Sequence, residues 1–534
     1  MSRFTSTPGF SRRRFLALAS GVTLAAALPV AALSAAPAWA EPRFRGDPFA
    51  LGVASGDPAP DGVVLWTRLA PDPLAADGRG GMPGYRVPVR WQVAEDPWFR
   101  RTRRSGVEQA VPELGHSVHA EVRGLEPDRE YWYRFRVGRH VSATGRTRTA
   151  PAADAAIASM AFAFVSCQNY PDGHFTALHH LAEEDVDVVV HLGDYIYEGG
   201  AQGTIGRGHL PAGELHSLSD YRVRYGQYKL DPDLQAEHAA HPWIVVLDDH
   251  EVDNNWADGL DGDDVGGAEF AARRAAAFQA YYENLPLRRS SLPAGPHMQL
   301  YRRLPYGTLA QFHVVDTRQF RDNQACGDGR QFDCDERLDP ERTMLGADQE
   351  AWLLDGLTRS RTTWDVMANQ IMTMQGDSAE GIEQAFGMDT WDGYAAARQR
   401  LFDGVEKRGI GNFVVVTGDA HRSVAADLKH DFDDPASATV GVEFLGTSIS
   451  SGGNGSDQDE WGRVWLQENP HMKFHNVQRG YGVCEVTRES WRTDYRVVSH
   501  VSSPGAPVAT RARVHVAAGR PGIQEVEQPG VPQP

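Results

Sequence analysis

The amino-acid sequence predicts an α/β fold, in which a layered domain with mixed β-sheets and flanking helices follows a smaller β-rich region. Three segments before residue 150 alternate or are rich in β-branched and aromatic residues, at 63–66, 87–93 and 131–137, with Gly, Pro and Asp turns between them. From residue 160 the pattern changes to strands that alternate with helices, which is typical of a layered α/β domain. A chain of 534 residues is long enough for two such domains.

The β-rich region at residues 44–150 is predicted to be a small β-sandwich. The turn at 124–128 and the following Tyr131 resemble the turn and tyrosine of fibronectin-type sandwiches. An alanine-rich linker at 151–159 comes next. We therefore expect a fibronectin-like sandwich ahead of the main domain.

The main domain is predicted to occupy residues 160–520. Its strands are expected at 161–165, 186–192, 243–247, 309–316, 364–370, 413–417 and 442–446. Its helices are expected at 174–184, 271–282 and 347–358. The rest of the chain, residues 521–534, is rich in proline and is predicted to form a loose tail.

The first forty residues carry the pattern of an export signal. Arg12 and Arg13 form a twin-arginine pair, an apolar stretch at 15–36 follows, and residues 38–40 read Ala-Trp-Ala, a cleavage site. A membrane anchor is the alternative, but small and polar residues dilute the apolar stretch, and no later run reaches about 18 apolar residues. We therefore predict a signal peptide at 1–40, export by the twin-arginine machinery to the periplasm or the extracellular space, and no stable membrane anchor.

The charge balance limits the classes of partner. Acidic residues outnumber basic ones, 71 to 53, for a net charge of -18. Broad nucleic-acid binding needs a basic surface, so no specific nucleic-acid partner is expected. An acidic protein that handles an anionic substrate needs local positive charge, and bound metal ions supply it.

Four cysteines are too few for a disulfide scaffold in a chain of this length. Cys326 and Cys334 flank a short polar loop, and in an oxidising compartment we expect them to form a local disulfide. Cys484 lies in an apolar, strand-like segment and is expected to be a buried thiol.

Four short motifs each follow an apolar strand. They read Ser-Cys-Gln, Gly-Asp-Tyr-Ile-Tyr-Glu, Asp-Asp-His-Glu-Val-Asp-Asn-Asn and Gly-Asp-Ala-His, and they lie at 166–168, 193–198, 248–255 and 418–421. In open α/β sheets, ligands bind beyond the carboxyl ends of the strands. The four loops are therefore expected to converge on one site.

Six side chains in these motifs could bind metal ions: Cys167, Asp194, Tyr197, Asn254, Asp419 and His421. Carboxylate and amide oxygens suit calcium, magnesium or manganese, whereas thiolate, phenolate and imidazole suit a transition metal. The mixed set therefore predicts two unlike ions, which could share one aspartate. Paired ions can clamp a phosphoryl group and activate water.

Taken singly, each motif has a plainer interpretation. The 193–198 motif could be a turn, Cys167 could be a small buried hydrophobe, and Asp249 with His250 could be a surface pair. The conjunction of the motifs favours a shared site. No Gly-x-Ser-x-Gly and no Gly-Lys-[Ser/Thr] occurs, which excludes the common serine hydrolases and P-loop proteins.

Two other classes of protein compete with a metal-dependent hydrolase. An iron-binding redox protein could also use thiolate and phenolate ligands, but an oxygen-only second site has no obvious use in electron transfer. A non-catalytic surface-binding module could explain the β-sandwich, but it leaves the α/β domain without a role.

The four motifs, together with segments 51–58 and 63–68, resemble the PhoD-type alkaline phosphatases. More distantly, the second and fourth motifs are similar to the purple acid phosphatases. The resemblance implies a metallophosphoesterase domain and a secreted alkaline phosphatase that acts on small phosphate esters, both monoesters and diesters. Hydrolysis would proceed by metal-activated in-line attack and release inorganic phosphate.

The resemblance also implies the metals and their ligands. Fe3+ would be held by Cys167, Asp194, Tyr197 and His421. Ca2+ would be held by Asp194, Asn254 and Asp419, so that Asp194 bridges the two ions. Asn255 and Asp249 remain open as alternatives to Asn254.

Three residues are carried over as catalytic: Asp194, His250 and Asp419. His250 could donate a proton to the leaving alkoxide, or it could orient a metal ligand, which is the favoured role.

Overall fold

A computed structural model describes residues 44–529 of the chain, and the predicted signal peptide at 1–40 lies outside this range. The described residues group as one compact unit. Within the described range, no helix combines the length and the apolar character that a membrane span requires.

The described residues form 24 β-strands. In chain order they are β1 Val53–Ala59, β2 Gly62–Arg68, β3 Val87–Ala94, β4 Thr102–Ala110, β5 Ser117–Arg123, β6 Glu130–Val137, β7 His140–Val141, β8 Gly145–Arg148, β9 Ser159–Val165, β10 Val188–His191, β11 Pro242–Val245, β12 Arg302–Tyr306, β13 Ala310–Val314, β14 Arg330–Gln331, β15 Trp364–Ala368, β16 Phe386–Gly387, β17 Phe413–Thr417, β18 Ser423–Lys429, β19 Thr439–Leu445, β20 Met472–Asn476, β21 Gly480–Thr487, β22 Ser490–Val498, β23 Val508–Ala517 and β24 Glu525–Glu527.

The same residues form seven α-helices: α1 Thr176–Leu181, α2 Leu218–Lys229, α3 Pro232–Ala240, α4 Ala268–Asn284, α5 Gly346–Arg359, α6 Ala395–Lys407 and α7 Glu460–Glu468. Short 3-10 helices lie at Pro112–Leu114, Arg289–Ser291, Ala325–Gly327, Asp335–Leu338 and Trp391–Tyr394.

The larger of two mixed sheets has ten strands in the order β24-β23-β22-β21-β9-β10-β11-β1-β2-β5. Its central strands β9, β10, β11 and β1 are parallel, and β21 joins β9 antiparallel. Every residue of β10 and β11 is buried, as expected of parallel strands that are covered on both faces. The carboxyl ends of these strands therefore meet at one edge.

The second sheet has seven strands in the order β12-β13-β15-β17-β19-β18-β20, and β13, β15, β17 and β19 are parallel. Aromatic side chains pack between the two sheets: the ring centroids of Phe162 and Phe312 are 5.0 Å apart, and those of Trp364 and Trp491 are 5.5 Å apart. Helices α2 and α4 add side chains to the core of the large sheet, whereas α5, α6 and α7 contribute to a separate core on the smaller one.

The N-terminal region differs from the separate sandwich that the sequence predicts. Its strands β3, β4, β6, β7 and β8 form a five-stranded sheet of their own, but β1, β2 and β5 continue the ten-stranded sheet. The junction is the parallel pairing of Ser55 with Pro242 and of Gly56 with Trp243. Local periodicity could not reveal this pairing, because the partners lie far apart in the sequence. In the turn before β6, the Tyr131 hydroxyl accepts a hydrogen bond from the Glu126 N–H at 2.9 Å.

Most predicted elements of the main domain are present with shifted ends. The strand predicted at 413–417 matches β17, whereas the helix predicted at 174–184 is only Thr176–Leu181. The tail predicted to be loose from residue 521 contains β24, which pairs antiparallel with β23. The high proline content of the tail concealed this three-residue strand.

The predictions for three cysteines are confirmed. Cys326 and Cys334 form a disulfide, and Cys484 is a buried free thiol.

Candidate metal centre

The four sequence motifs converge at the junction of the two sheets, as predicted. Cys167, Asp194 and Asp249 follow β9, β10 and β11 of the ten-stranded sheet, and Asp419 follows β17 of the seven-stranded sheet. Ligand atoms of Cys167, Asp194 and His421 all lie within 4.8 Å of one another. The site therefore lies between the carboxyl edges of two different sheets.

Sharp backbone turns direct the side chains into this junction. Cys167, Asp194, Asp419 and His421 have φ values of 59°, 59°, 64° and 54°. Non-glycine residues rarely adopt this left-handed region, which costs on the order of 1–3 kcal/mol each and is concentrated at functional sites. Hydrogen bonds between neighbouring loops hold the turns, including Cys167 N–H to the Gly193 carbonyl at 3.1 Å.

The side chains predicted to hold iron form the first group of donors. The Tyr197 hydroxyl donates to Asp194 Oδ2 at 2.9 Å and lies 3.2 Å from His421 Nε2. The Ser451 hydroxyl donates to the Tyr197 oxygen at 2.7 Å. Cys167, Asp194, Tyr197 and His421 are thus brought together, with Ser451 as a neighbour that the sequence analysis did not identify.

Burial determines which of these donors hold protons. It raises the pKa of Cys167 and of Tyr197 well above their ordinary values, and the Asp194 carboxylate adds to both shifts. Burial, with the nearby Arg479 charge, lowers the pKa of His421 to about 3, which leaves a neutral imidazole. A cation that binds here must therefore displace protons from sulfur and phenol oxygen, but not from the imidazole.

Two further groups of donors adjoin the first. Ligand atoms of Asp194, Asp249 and His250 lie within 4.8 Å of one another, and so do those of Asp248, Asp249 and Asp419. Among the described residues, Asp194 Oδ1, Asp248 Oδ2 and Asp249 Oδ1 are buried without a hydrogen-bond partner. Buried carboxylate oxygens are costly unless a cation or donor compensates them, so the residues present fit bound metal ions.

The contacts of the three candidates for the calcium amide or carboxylate differ. The Asn255 side chain donates through Nδ2 to Asp328 Oδ2 at 2.8 Å, and its backbone N–H donates to Asp249 Oδ2 at 2.8 Å. Both hydrogen bonds use nitrogen atoms, whereas calcium would bind the amide oxygen. Asn254 has an exposed side chain, and Asp249 belongs to two of the donor groups. All three residues therefore stay candidates.

His250 is fixed by an acidic neighbour. Its Nδ1 lies 2.7 Å from Glu198 Oε2, and its ring centroid lies 4.1 Å from that of Tyr197. Burial alone would lower the pKa of His250, but the charges of Asp249 and Glu198 outweigh it and raise the pKa well above the ordinary value. Because Glu198 occupies Nδ1, Nε2 is the nitrogen left to face the site.

Glu251, which the sequence analysis did not single out, organises two of the loops. Its carboxylate accepts backbone N–H groups from Asp194 at 3.2 Å, Tyr195 at 2.5 Å and Asp248 at 2.8 Å. Burial raises the pKa of Glu251 to about 8, against the effect of these three donors. Its position in the Asp-Asp-His-Glu motif was the only signal that could have indicated it.

Arg318 is the second residue that the sequence analysis missed. Its guanidinium is fully buried beside the carboxylates of Asp248, Asp249 and Asp419. It follows β13 in an Asp-Thr-Arg segment, which is too common a sequence to indicate a functional site.

Thiol, phenol, imidazole and unpartnered carboxylate oxygens meet at the carboxyl edges of two packed sheets, and together they define a site that could hold metal ions. Comparisons with known proteins show the class of enzyme to which this site belongs.

Residues 162–495 match the PhoD-like phosphatase family, and residues 34–151 match the N-terminal domain of PhoD-like phosphatases. Alkaline phosphatase D of Bacillus subtilis (strain 168) is 47% identical over 529 residues, covering 97% of this chain and 89% of that protein. A solved structure of PhoD superposes with a TM-score of 0.89 at 48% identity, covering 92% of this chain and 94% of that one. The chain belongs to the PhoD-like phosphatase family and is a phosphoric ester hydrolase.

Membership of this family excludes the two competing interpretations as the main role of the chain, an iron redox protein and a surface-binding module. A much weaker similarity, to GAP50 of Plasmodium with 12% identity and a TM-score of 0.34, is too low to support an argument.

Glu198→Gln should lower phosphatase activity by about 10- to 100-fold, the usual effect of losing a residue that orients a metal-site histidine. Glu198 accepts from His250 and also from the Asn254 N–H at 2.9 Å, and a neutral amide cannot replace the carboxylate in both contacts. Turnover of p-nitrophenyl phosphate measures the effect. The control is Glu485→Gln, an exposed change on β21, which should retain parental turnover; equal activity of both variants would contradict the assignment.

Proposed function

We propose that this protein is an exported alkaline phosphatase that hydrolyses phosphate monoesters and diesters by metal-activated in-line attack and releases inorganic phosphate. The observation that carries the proposal is the position of Asp194. It belongs to a group with Cys167 and His421 and also to a group with Asp249 and His250. One carboxylate thus belongs both to a group that contains a thiol and to a group that contains a second carboxylate, as a pair of unlike ions requires.

The proposed metals are Fe3+ and Ca2+. The thiol, phenol and imidazole of Cys167, Tyr197 and His421, with Asp194, would hold the iron. Asp194, Asn254 and Asp419 would hold the calcium, and Asp249 is a further candidate because its Oδ1 is buried without a partner among the described residues. Oxygen donors with variable geometry suit calcium, whereas sulfur and nitrogen suit a transition metal.

When bound, such ions neutralise phosphoryl oxygens and lower the pKa of water. The residues of the chain then hold the reacting groups in position. Asp194 and Asp419 are proposed as catalytic carboxylates. Each has a left-handed backbone conformation just after the carboxyl end of a strand, β10 for Asp194 and β17 for Asp419. His250, with Nδ1 held by Glu198, would act through Nε2, where it either holds a proton for the leaving oxygen or contacts Asp194 and Asp249.

The substrates are proposed to be small phosphate esters, including p-nitrophenyl phosphate and its bis diester, with the highest turnover at alkaline pH. Brief treatment of metal-loaded protein with a calcium-selective chelator should abolish turnover, because the oxygen-donor pocket exchanges its ion more readily than the sulfur-containing one. Added calcium should restore it, and zinc should do so poorly, since zinc prefers nitrogen and sulfur donors.

Metal-loaded protein that turns over monoesters but not the diester would contradict the diesterase part of the proposal. Turnover that survives complete calcium removal would contradict the calcium assignment.

Tyr197→Phe should remove the visible absorption that a phenolate bound to Fe3+ would give, whereas Tyr195→Phe should not. The Tyr197 hydroxyl contacts both Asp194 and His421. The Tyr195 hydroxyl instead lies 2.8 Å from His238 Nε2, within the core. The two variants are matched in chemistry and differ only in position. An absorption spectrum of each holoprotein is the test, and bleaching by Tyr195→Phe alone would reverse the assignment.

Export by the twin-arginine machinery to the periplasm or the extracellular space is also proposed, with cleavage after Ala40. Replacing Arg12 and Arg13 together by lysine should leave the precursor in the cytoplasm, because the machinery reads the pair as an address. Cell fractionation with immunoblotting measures it. Normal export of the double variant would contradict the proposal.

A further inference from the structure

Arg318 lies among four carboxylates. Its Nε contacts Asp248 Oδ1, and its Nη1 lies 3.0 and 3.1 Å from the two oxygens of Asp389. Its Nη2 lies 3.5 Å from Asp249 Oδ1 and 3.8 Å from Asp419 Oδ1. The side chain has 0% exposure. A buried arginine with this many acidic neighbours is held by charge as well as by packing.

The backbone around Arg318 fixes the direction of its side chain. Asp316 Oδ1 accepts the N–H groups of Arg318 at 3.1 Å and Gln319 at 3.0 Å, which closes a tight turn after β13. The Asp316 N–H in turn donates to Gln349 Oε1 at 2.8 Å, a side chain of α5. Residues of the seven-stranded sheet and of α5 therefore hold this turn in place. The turn directs the Arg318 guanidinium into the candidate metal centre.

Three of the four carboxylates, those of Asp248, Asp249 and Asp419, are close enough together to form a cation site of their own. Ligand atoms of Asp248, Asp249 and Asp419 lie within 4.8 Å of one another. Asp248 and Asp249 are about 1% exposed, and Asp248 Oδ2 and Asp249 Oδ1 are without hydrogen-bond partners among the described residues. Like charges this close repel strongly where water is excluded, so the group needs a positive charge beside it.

We propose that the Arg318 guanidinium is a permanent internal cation that takes the place of a metal ion at the Asp248–Asp249–Asp419 group. In this role Arg318 is a positioning residue: it holds Asp249 and Asp419 in place for the neighbouring donor groups and closes their own group to a further ion. Arginine suits the role because its planar fork stays charged and can contact several carboxylates at once. The proposal does not depend on which metals the centre binds.

Arg321 provides a matched control. It is also fully buried, at 1% exposure, and it pairs with the same Asp389 at 2.7 Å. Its other hydrogen bonds go to backbone carbonyls, those of Asn255 and Trp256 at 2.9 Å and that of Asp389 at 3.3 Å. Replacing Arg321 therefore removes a buried arginine of the same cluster without removing charge that contacts Asp248, Asp249 or Asp419.

The test compares Arg318→Met with Arg321→Met and the parent protein, each purified as the exported holoprotein. Equilibrium dialysis against calcium alone, followed by elemental analysis, counts the divalent cations held by each chain. Arg318→Met should hold one more divalent cation per chain than the parent, and calcium should raise its thermal midpoint by more than it raises that of the parent. Arg321→Met should hold the same number of divalent cations as the parent protein. Its thermal unfolding midpoint without calcium should nevertheless be lower than that of the parent, because a buried ion pair is lost.

An equal or smaller number of cations in Arg318→Met than in the parent would overturn the proposal. Arg318→Lys keeps the test decisive if the methionine variant cannot be obtained folded. Lysine retains the positive charge but not the fork, so this variant should hold the parental number of cations. An additional cation in Arg318→Lys would show that the charge does not close the group, and would contradict the proposal equally.

Discussion

The crowding of buried negative charge at the junction of the two sheets is the constraint on which the rest of the centre depends. Asp194, Asp248 and Asp249 are each about 1% exposed. At an effective dielectric of about 20, two carboxylates about 5 Å apart repel by roughly 3 kcal/mol. Burial raises the pKa of Asp248 to about 7 against the charge of Arg318, whereas the charges of Arg318 and His250 together outweigh burial at Asp249 and hold its pKa below the ordinary value. Compensating positive charge therefore decides which of these groups stays ionised.

The fold can maintain this arrangement because both sheets are anchored outside the site. Four residues in the left-handed region together cost several kcal/mol if each costs on the order of 1–3. They persist because the strands before them, β9, β10 and β17, each end in at least four buried residues and pair with a neighbouring strand on both sides. The N-terminal strands add to this bracing: β1 extends the ten-stranded sheet beside β11, and the indole N–H of Trp66 donates to the Glu283 carbonyl at 3.0 Å. The N-terminal region is thus part of the scaffold of the catalytic sheet.

The sequence predicted what depends on local pattern and missed what depends on distant contacts. Strand β17 and the convergence of four loops followed from apolar runs that end in metal-type side chains. The choice of Tyr197 as an iron ligand came from family resemblance; its hydroxyl contacts Asp194, whereas the hydroxyl of Tyr195 contacts His238. The pairing of β1 with β11, the three N–H groups on Glu251 and the place of Arg318 arise from segments far apart in the chain, and no periodicity encodes them.

The three donor groups are linked through two shared aspartates. Asp194 belongs to the group of Cys167 and His421 and to that of His250, and Asp249 belongs to the latter and to the group of Asp248 and Asp419. Within Asp194 the two oxygens are divided, since Oδ2 accepts from the Tyr197 hydroxyl and Oδ1 has no hydrogen-bond partner in the described part of the chain. The thiol belongs to the first group, and the fixed charge of Arg318 lies beside the third. If exchangeable cations occupied every group, the two shared aspartates would have to satisfy three ions. The guanidinium, 3.5 Å from Asp249 Oδ1, takes the place of one of these ions, so that the shared aspartates serve two.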